Sequence, residues 1–394
     1  MSLYNIPLIL LISSVLFNGL FIVKFGVNLK FFYLFLFIAL LMVIYLKKNL
    51  IVKLHHICLP LTLFIIGVVN SYYDNTSFFK VFFQCSAISV CLVIFYNSFS
   101  LFYVNKNDAD ENFAINYNLI IAIYVLVSLF IFLLKKSFTD DPQIRMFGLL
   151  AEPSVLALVI MPALLYSLKK LILKFNLFDL FLCVIFTFSV FQTKSTLGYF
   201  GLLSLPFFLI DKIKLKLIFL VLVLTILFLF INFVPLISYK VNELYRMFSD
   251  NNLYSFYGPT SVTFYINFII AIKSFISNPI FGNGLGSHAV SYFENVYNIA
   301  GAQSYPTSLY IGLNYNDANS LFFRIISETG LLGVGFLFYY IIKYYIPSYS
   351  SNMSLILISL MLVRNGNFIN PEFFLFVYYY YFSKLNSIKN NTYK

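Results

Sequence analysis

Apolar runs of about twenty residues follow one another through this chain, and nearly all of its charge lies in the short segments between them. No other feature restricts the fold so far. A backbone in hydrocarbon must satisfy its own hydrogen bonds, which leaves helices or closed barrels, and runs near twenty residues fit helices. Their cores fall at 5–23, 31–46, 57–72, 79–103, 118–134, 150–168, 176–193, 197–210, 217–237, 326–343, 353–366 and 371–383, about twelve in all. Charged residues make up 10% of the chain, against about 25% in soluble domains. The expected class is therefore an all-α polytopic membrane protein. The start, 6–23, has no basic region before it and reads as a first span rather than a removed leader.

The net charge of +11 does not mark a nucleic-acid binder, because the lysines sit in loops between spans. Lys47, Lys48, Lys53, Lys106, Lys169, Lys170, Lys174, Lys212, Lys214, Lys216, Lys343, Lys384, Lys389 and Lys394 all fall on one side when the N-terminus is cytoplasmic. Both termini are then cytoplasmic. The segment 238–319 becomes one large outer, periplasmic loop with short helices in it, set in a single transmembrane domain over 1–394. Within that loop, 262–276 is apolar and aromatic; it reads as an interfacial or re-entrant helix, with a spanning helix as the alternative. Asn278-Pro279 ends it, and Gly282, Gly284 and Gly286 make a tight turn.

Two stretches carry the chemistry. In Arg145-Met-Phe-Gly-Leu-Leu-Ala-Glu-Pro-Ser154, Pro153 suits the first turn of a helix and Glu152 its N-cap. A helix N-terminus and an arginine together make an anion-binding mouth at a membrane surface; the plainer alternative is a capping Glu152 and a snorkelling Arg145. The four arginines, Arg145, Arg246, Arg324 and Arg364, all fall at or near the outer face, while every inside cation is Lys. Arg grips phosphate with two donors at once. Arg145 and Arg246 are the expected diphosphate ligands, and Arg364 has the least secure position of the four. Glu152 is the leading candidate base, with the orientation of Arg145 as its rival role. Glu243, Asp250, His288, Glu294, Asp317 and Glu328 are the other outward ionisable groups. Asp317-Ala-Asn-Ser320 reads as a helix start, which places Asp317 and Asn319 at the site. Arg324 and Glu328 are spaced i,i+4, so a local ion pair competes with substrate binding there. Asp108-Ala-Asp110 matches a metal-binding DxD but reads as a solvated acidic turn; His55 and His56 read as structural, and the four Cys as small core residues.

Arg145…Gly148…Glu152-Pro153-Ser154 opening a transmembrane helix resembles the signature of O-antigen polymerases, the Wzy family. Asn278-Pro-Ile-Phe-Gly-Asn-Gly-Leu-Gly286, Asp317-Ala-Asn-Ser320 and Glu328-Thr-Gly-Leu-Leu-Gly333 resemble the wider superfamily that includes the O-antigen ligases. The resemblance covers roughly residues 140–345 together with the general hydropathy of the chain. It implies a membrane-embedded GT-C-type glycosyltransferase fold in a bacterial inner membrane. It implies a metal-independent transfer of the growing glycan from undecaprenyl diphosphate to a new lipid-linked repeat unit at the outer leaflet. The implied partners are that lipid-linked glycan, the bilayer and a chain-length regulator protein, with no cofactor, metal or nucleic acid. Arg145, Glu152 and Arg246 take the catalytic roles, and Arg324, His288, Asn319 and Asp317 the substrate contacts. Ligases carry a His just before the Asn; here that position is Ala318, which argues against ligase chemistry. A flippase, the other alternative, calls for charged residues in mid-span and two related halves, neither of which is seen.

Overall fold

The structure, a computed structural model, describes residues 3–25, 27–74, 78–106, 108–138, 145–148, 150, 152–212, 215–216, 218, 242–243, 245–249, 253, 258–305 and 307–392. Thirteen helices are followed here: α1 (Ile6–Leu16), α2 (Phe32–Lys47), α3 (Leu54–Asp74), α4 (Phe78–Val104), α5 (Ala109–Phe138), α6 (Pro153–Leu173), α7 (Leu177–Gln192), α8 (Thr196–Leu209), α9 (Pro259–Ser277), α10 (Ser287–Asn295), α11 (Leu321–Tyr344), α12 (Tyr349–Val363) and α13 (Pro371–Thr392). Among the described residues, α4, α5, α6, α9 and α11 are long and apolar enough to cross a membrane. Their outward sides stay apolar, as at Ile123 and Phe130 of α5, both more than 60% exposed. This is the architecture of a helical membrane protein.

Two expectations meet a different outcome. The first apolar run does not continue as a helix through residue 23: α1 stops at Leu16, and a short antiparallel hairpin, β1 (Phe21–Phe25) and β2 (Val27–Lys30), follows. The break falls at Asn18-Gly19, two residues that favour turns, and Asn18 is drawn into hydrogen bonds with Asn370 and Glu372. The acidic turn at 108–110 is not simply solvated. Asp110 accepts hydrogen bonds from Tyr103, Ser383 and Asn386, so it clamps the end of α13 to the start of α5. The expected ninth span, 217–237, lies outside the described residues apart from Ile218, as does Asp250.

The helices run up and down, so their ends gather at two levels. At one level are the described lysine clusters: Lys169 pairs with Asp211 at 2.7 Å, Lys170 with Glu111 at 2.6 Å, and Lys216 donates to Asn352. At the other lie Asn18, Lys30, Arg145, Glu152, Ser195, Pro259, Arg364 and Asn370, called here the Glu152 end. The main core runs between the two ends through α1, α2, α4–α8 and α11–α13. A second, smaller core is built from the 247–302 region, with Met247, Val262, Tyr265, Ile270, Tyr292 and Val296 at its centre.

Helix α11 is broken at Gly330, whose φ of 57° and ψ of −150° are accessible to Gly alone. The loop after α9 fills the break. Asn283 and Gly284 donate to the carbonyls of Ser327 and Glu328, while Leu331 and Leu332 donate to those of Pro279 and Ile280. Backbone groups freed by the kink are thus paired with the inserted loop, as burial demands. A Cβ on Gly330 would stand 2.6–2.7 Å from Pro279 O, Ile280 O and Gly282 N.

Candidate functional site

Helix α6 begins where the sequence pattern places it. Glu152 is its N-cap with extended backbone, Pro153 its first residue. The Glu152 carboxylate does not cap the helix; it accepts from Ser154 Oγ at 2.9 Å and lies 3.9 Å from Arg364 Nη2. Arg145 reaches the same place from the preceding segment. Its Nη2 donates to Lys194 O at 2.8 Å, and Met146 N donates to Gln192 O, so the segment docks on the turn between α7 and α8. Gly148, at φ +61°, permits this docking, since a Cβ there would collide with Ser128 and Tyr124 of α5. Arg145, Glu152, Arg364 and Ser195, with Pro259 and Thr263 of α9, line an open polar mouth of about 290 Å³.

A deeper lobe of about 150 Å³ adjoins it and shares Glu152, Ser154, Asn314 and Arg364. Its walls include Lys30, Asp317 and Asn319. The loop after α12 is zipped to the turn before α11: Asn365 N donates to Asn319 O, Ser320 Oγ to Leu362 O, and Arg324 Nη1 to Gly366 O at 3.1 Å. Gly366 must be Gly, because a Cβ would collide with the Asp317 carbonyl. Burial pushes the Asp317 carboxyl above its ordinary range, against the Asn319 N–H that donates to it and the nearby Arg324. Lys30 donates to Asn18 Oδ1 at 3.3 Å; burial lowers its pKa while Glu372 and Asp317 oppose that shift.

Of the six described non-glycine residues with positive φ, Asn314, Asn319 and Asn365 line these two spaces, and Lys194 and Ala318 are next in sequence to residues that do. Such conformations each cost on the order of 1 kcal/mol and concentrate at functional sites.

The structure therefore brings together Arg145, Glu152, Asp317 and Asn319 of the expected set. Arg324 lies close by but is engaged: its Nε donates to Glu328 Oε1 at 3.1 Å, and its guanidinium stacks 4.5 Å above Phe368. It also edges a shallow polar depression with Asp317 and Asn367. His288 stands apart, wholly buried between Asn267 and Ser327 and absent from the walls of the mouth and lobe. Asn267 Nδ2 donates to Thr263 O, so its Oδ1 faces His288 and fixes the proton on Nε2. Burial and the charge of Arg324 lower its pKa to about 3, which leaves it neutral at physiological pH. Arg246 is exposed on the 245–249 helical segment and lines neither space. Glu243 accepts from Gly258 N and Ser261 Oγ and so anchors the start of α9; Glu294 is exposed.

Two lining residues, Arg364 and Lys30, stand outside the set expected to contact substrate. Arg364, rather than Arg246, is the second guanidinium lining the mouth with Glu152; the amide-rich run Asn365-Gly-Asn-Phe-Ile-Asn370 at the end of an apolar helix is the signal for it in the sequence. Lys30 was hidden at the edge of what read as a spanning segment. A separate apolar cavity of about 410 Å³ lies between α3, α4, α11 and α13, lined by Leu59, Leu92, Ile325, Leu337 and Phe374, and Phe368 carries its wall to the 364–370 loop. Among the described residues no His, Cys, Asp and Glu cluster forms a metal site. No family model, characterised protein or solved structure matches the chain.

Proposed function

We propose that this chain is a polymerase of polyprenyl-diphosphate-linked oligosaccharide repeat units, working at the outer leaflet of a bacterial inner membrane. The observation that carries the reading is the meeting of Arg145, Arg364 and Glu152 with the N-terminus of α6 in an open polar mouth, at the end of an apolar bundle opposite the Lys169, Lys170 and Lys216 clusters. With the lysine end in the cytoplasm, the mouth faces outward; both termini are inside, and about twelve spans include the 217–237 run. The two guanidiniums hold a diphosphate at headgroup level. The apolar cavity beside α11 offers a place for the isoprenoid chain, and the glycan extends outward.

The reaction needs attack by a sugar hydroxyl on an anomeric carbon as lipid diphosphate departs. The C–O bond to diphosphate breaks, its electron pair stays on the diphosphate, and the hydroxyl proton passes to a base. Arg145 and Arg364 stabilise the charge that develops on the leaving group. Glu152, or Asp317 in the adjoining lobe, accepts the proton. The excess of arginine over carboxylate in the mouth suits an anion there.

The test is complementation of a gene deletion in the native strain. Arg145→Lys and Arg364→Lys keep charge but lose the fork that grips two oxygens. A charge-assisted hydrogen bond is worth about 1.5–3 kcal/mol, or roughly 10- to 150-fold, so both variants should yield short chains at wild-type protein level. Single-repeat chains in the deletion strain support polymerase. Intact lipid-linked polymer that never reaches the surface acceptor means ligase, and units trapped on the inner leaflet mean flippase; either result sinks the proposal.

A further inference from the structure

The lobe behind the mouth is rich in amides. Six asparagines line it: Asn18, Asn314, Asn319, Asn365, Asn367 and Asn370. A carboxamide both donates and accepts, as a sugar hydroxyl does, and so matches it in either direction. These amides are held in place by one another. Asn370 Nδ2 donates to Asn365 Oδ1 at 2.7 Å, Asn18 Nδ2 to Asn370 Oδ1 at 3.3 Å, and Asn314 Nδ2 to Asn319 Oδ1 at 2.9 Å. Behind them Glu372, with no exposed surface, accepts from Asn18 and Asn365. Three of the six, Asn314, Asn319 and Asn365, sit at φ of 58°, 60° and 84°, a region that Asn tolerates better than other side chains. Such arrangement in advance lowers the ordering cost of binding a small polar ligand.

Charge separates the two spaces. In the mouth, Arg145 and Arg364 outnumber Glu152. In the lobe, Lys30 and Arg364 face Glu152 and Asp317, with Glu372 behind them. The first space favours an anion; the second carries no excess of cation and favours a neutral polar group. At about 150 Å³ the lobe is smaller than the 300 Å³ or more typical of drug-sized ligands, which suits one ring rather than an oligosaccharide.

We infer that the amide lobe is a sugar subsite that takes one neutral, hydroxyl-bearing monosaccharide, the residue joined to the diphosphate held at Arg145 and Arg364. This rests on the polymerase reading of the mouth. Glu372 is a positioning residue that orients Asn18 and Asn365. The carboxylates at the lobe disfavour an acidic sugar at that position.

The test uses the full chain in lipid nanodiscs and two probes: undecaprenyl diphosphate, and the lipid-linked repeat unit extracted from the deletion strain. The wild type should bind the glycan-bearing lipid about tenfold or more tighter, the equivalent of one or two net hydrogen bonds. Asn365→Gly removes an amide at a position where Gly accepts the positive φ. Asn367→Ala removes a half-buried amide whose one described bond is from Ile369 N–H, and it serves if the first variant lowers the thermal midpoint. Both should lose the tenfold preference and keep wild-type affinity for undecaprenyl diphosphate, whereas Arg364→Lys should weaken both probes. Equal wild-type affinity for the two probes, an undiminished preference in the Asn variants, or equal weakening of both probes by them overturns the sugar subsite while the diphosphate reading stands. Failure of the wild type to bind undecaprenyl diphosphate overturns the reading of the mouth and the subsite with it.

Discussion

Replacing Arg324 by Ala should destabilise the protein far more than replacing Arg145 or Arg364, although all three face the same end of the bundle. The Arg324 and Glu328 side chains are 6% and 1% exposed, joined by a 3.1 Å hydrogen bond inside α11. Glu328 Oε2 has no hydrogen-bond partner among the described groups, so Arg324 is its only cationic support in hydrogen-bond reach. Removing one partner of a buried pair costs about 3–5 kcal/mol, because the other charge stays buried. Loss of the bond to Gly366 O also loosens the 364–370 loop that carries Arg364. Arg324→Met with Glu328→Leu removes both charges and should recover most of the loss. By contrast, Arg145 is exposed, with one bond to a backbone carbonyl, and Arg364 stands 3.9 Å from a half-exposed Glu152. Exposed pairs of this kind contribute about 0–1 kcal/mol.

The assay is SDS-driven unfolding in mixed micelles, followed by the fluorescence of the 31 tyrosines, the chain having no Trp. The expected pattern is a loss of about 3–5 kcal/mol for Arg324→Ala, a smaller loss for the double variant, and less than about 1 kcal/mol for Arg145→Ala. A loss below about 1 kcal/mol for Arg324→Ala, or additive losses in the double variant, would show that the pair is not a buried brace. Arg324 would then be free to serve as the substrate ligand its sequence context suggested.

Two further outcomes are expected. Gly330→Ala should cost more than about 3 kcal/mol through forced positive φ and collision with Pro279 O, whereas Gly335→Ala, with nothing within 4 Å of its Cβ, should be neutral or stabilise by up to about 1 kcal/mol; equal protein levels for the two would refute the inserted-loop account. For His288, the folded pKa of about 3 lies below the unfolded value near 6.5. Unfolded chains therefore take up a proton that the folded chain refuses, and stability falls as pH drops from about 6.5 toward 3, by up to about 1.4 kcal/mol per pH unit. His288→Gln should flatten that part of the stability–pH curve, and an unchanged slope would place the acid sensitivity elsewhere.

What could be read from the sequence was what depends on near neighbours. Pro153 after Glu152 marks the start of α6 because a proline's missing N–H costs nothing there. The i,i+4 spacing of Arg324 and Glu328 foretold their pair because helix geometry alone decides it. Apolar run lengths located α2–α8 and α11–α13 closely, since burying backbone in lipid leaves few choices. Hydropathy averaging hid what broke those runs. Asn18-Gly19 ended α1 inside an apolar stretch, and Gly330 split α11 where only the inserted loop could pair the freed groups.

The site was partly illegible for another reason: its second half is made by contacts between distant segments. Nothing near Arg364 in the chain indicates that Glu152 will be its neighbour. The pairing follows from α12 ending, and α6 beginning, at the same level of the bundle. The same topology brings Asn18 and Lys30, from the first turns of the fold, to Asn365 and Asn370, near its last helix. In a protein whose interior is apolar, however, residue type narrows the search even where topology does not. An asparagine at the end of a spanning run does little for the crossing itself. Three within six residues after α12, beside one of only four arginines, single out this loop, and all four residues line the lobe. On the reading proposed above, arginines and asparagines divide the work by chemistry, with fixed charge for the anionic diphosphate and paired amides for a neutral sugar. Of these groups Arg145 lines only the mouth, Arg364 and Asn314 line both spaces, and Asn18, Asn319, Asn365, Asn367 and Asn370 line the lobe.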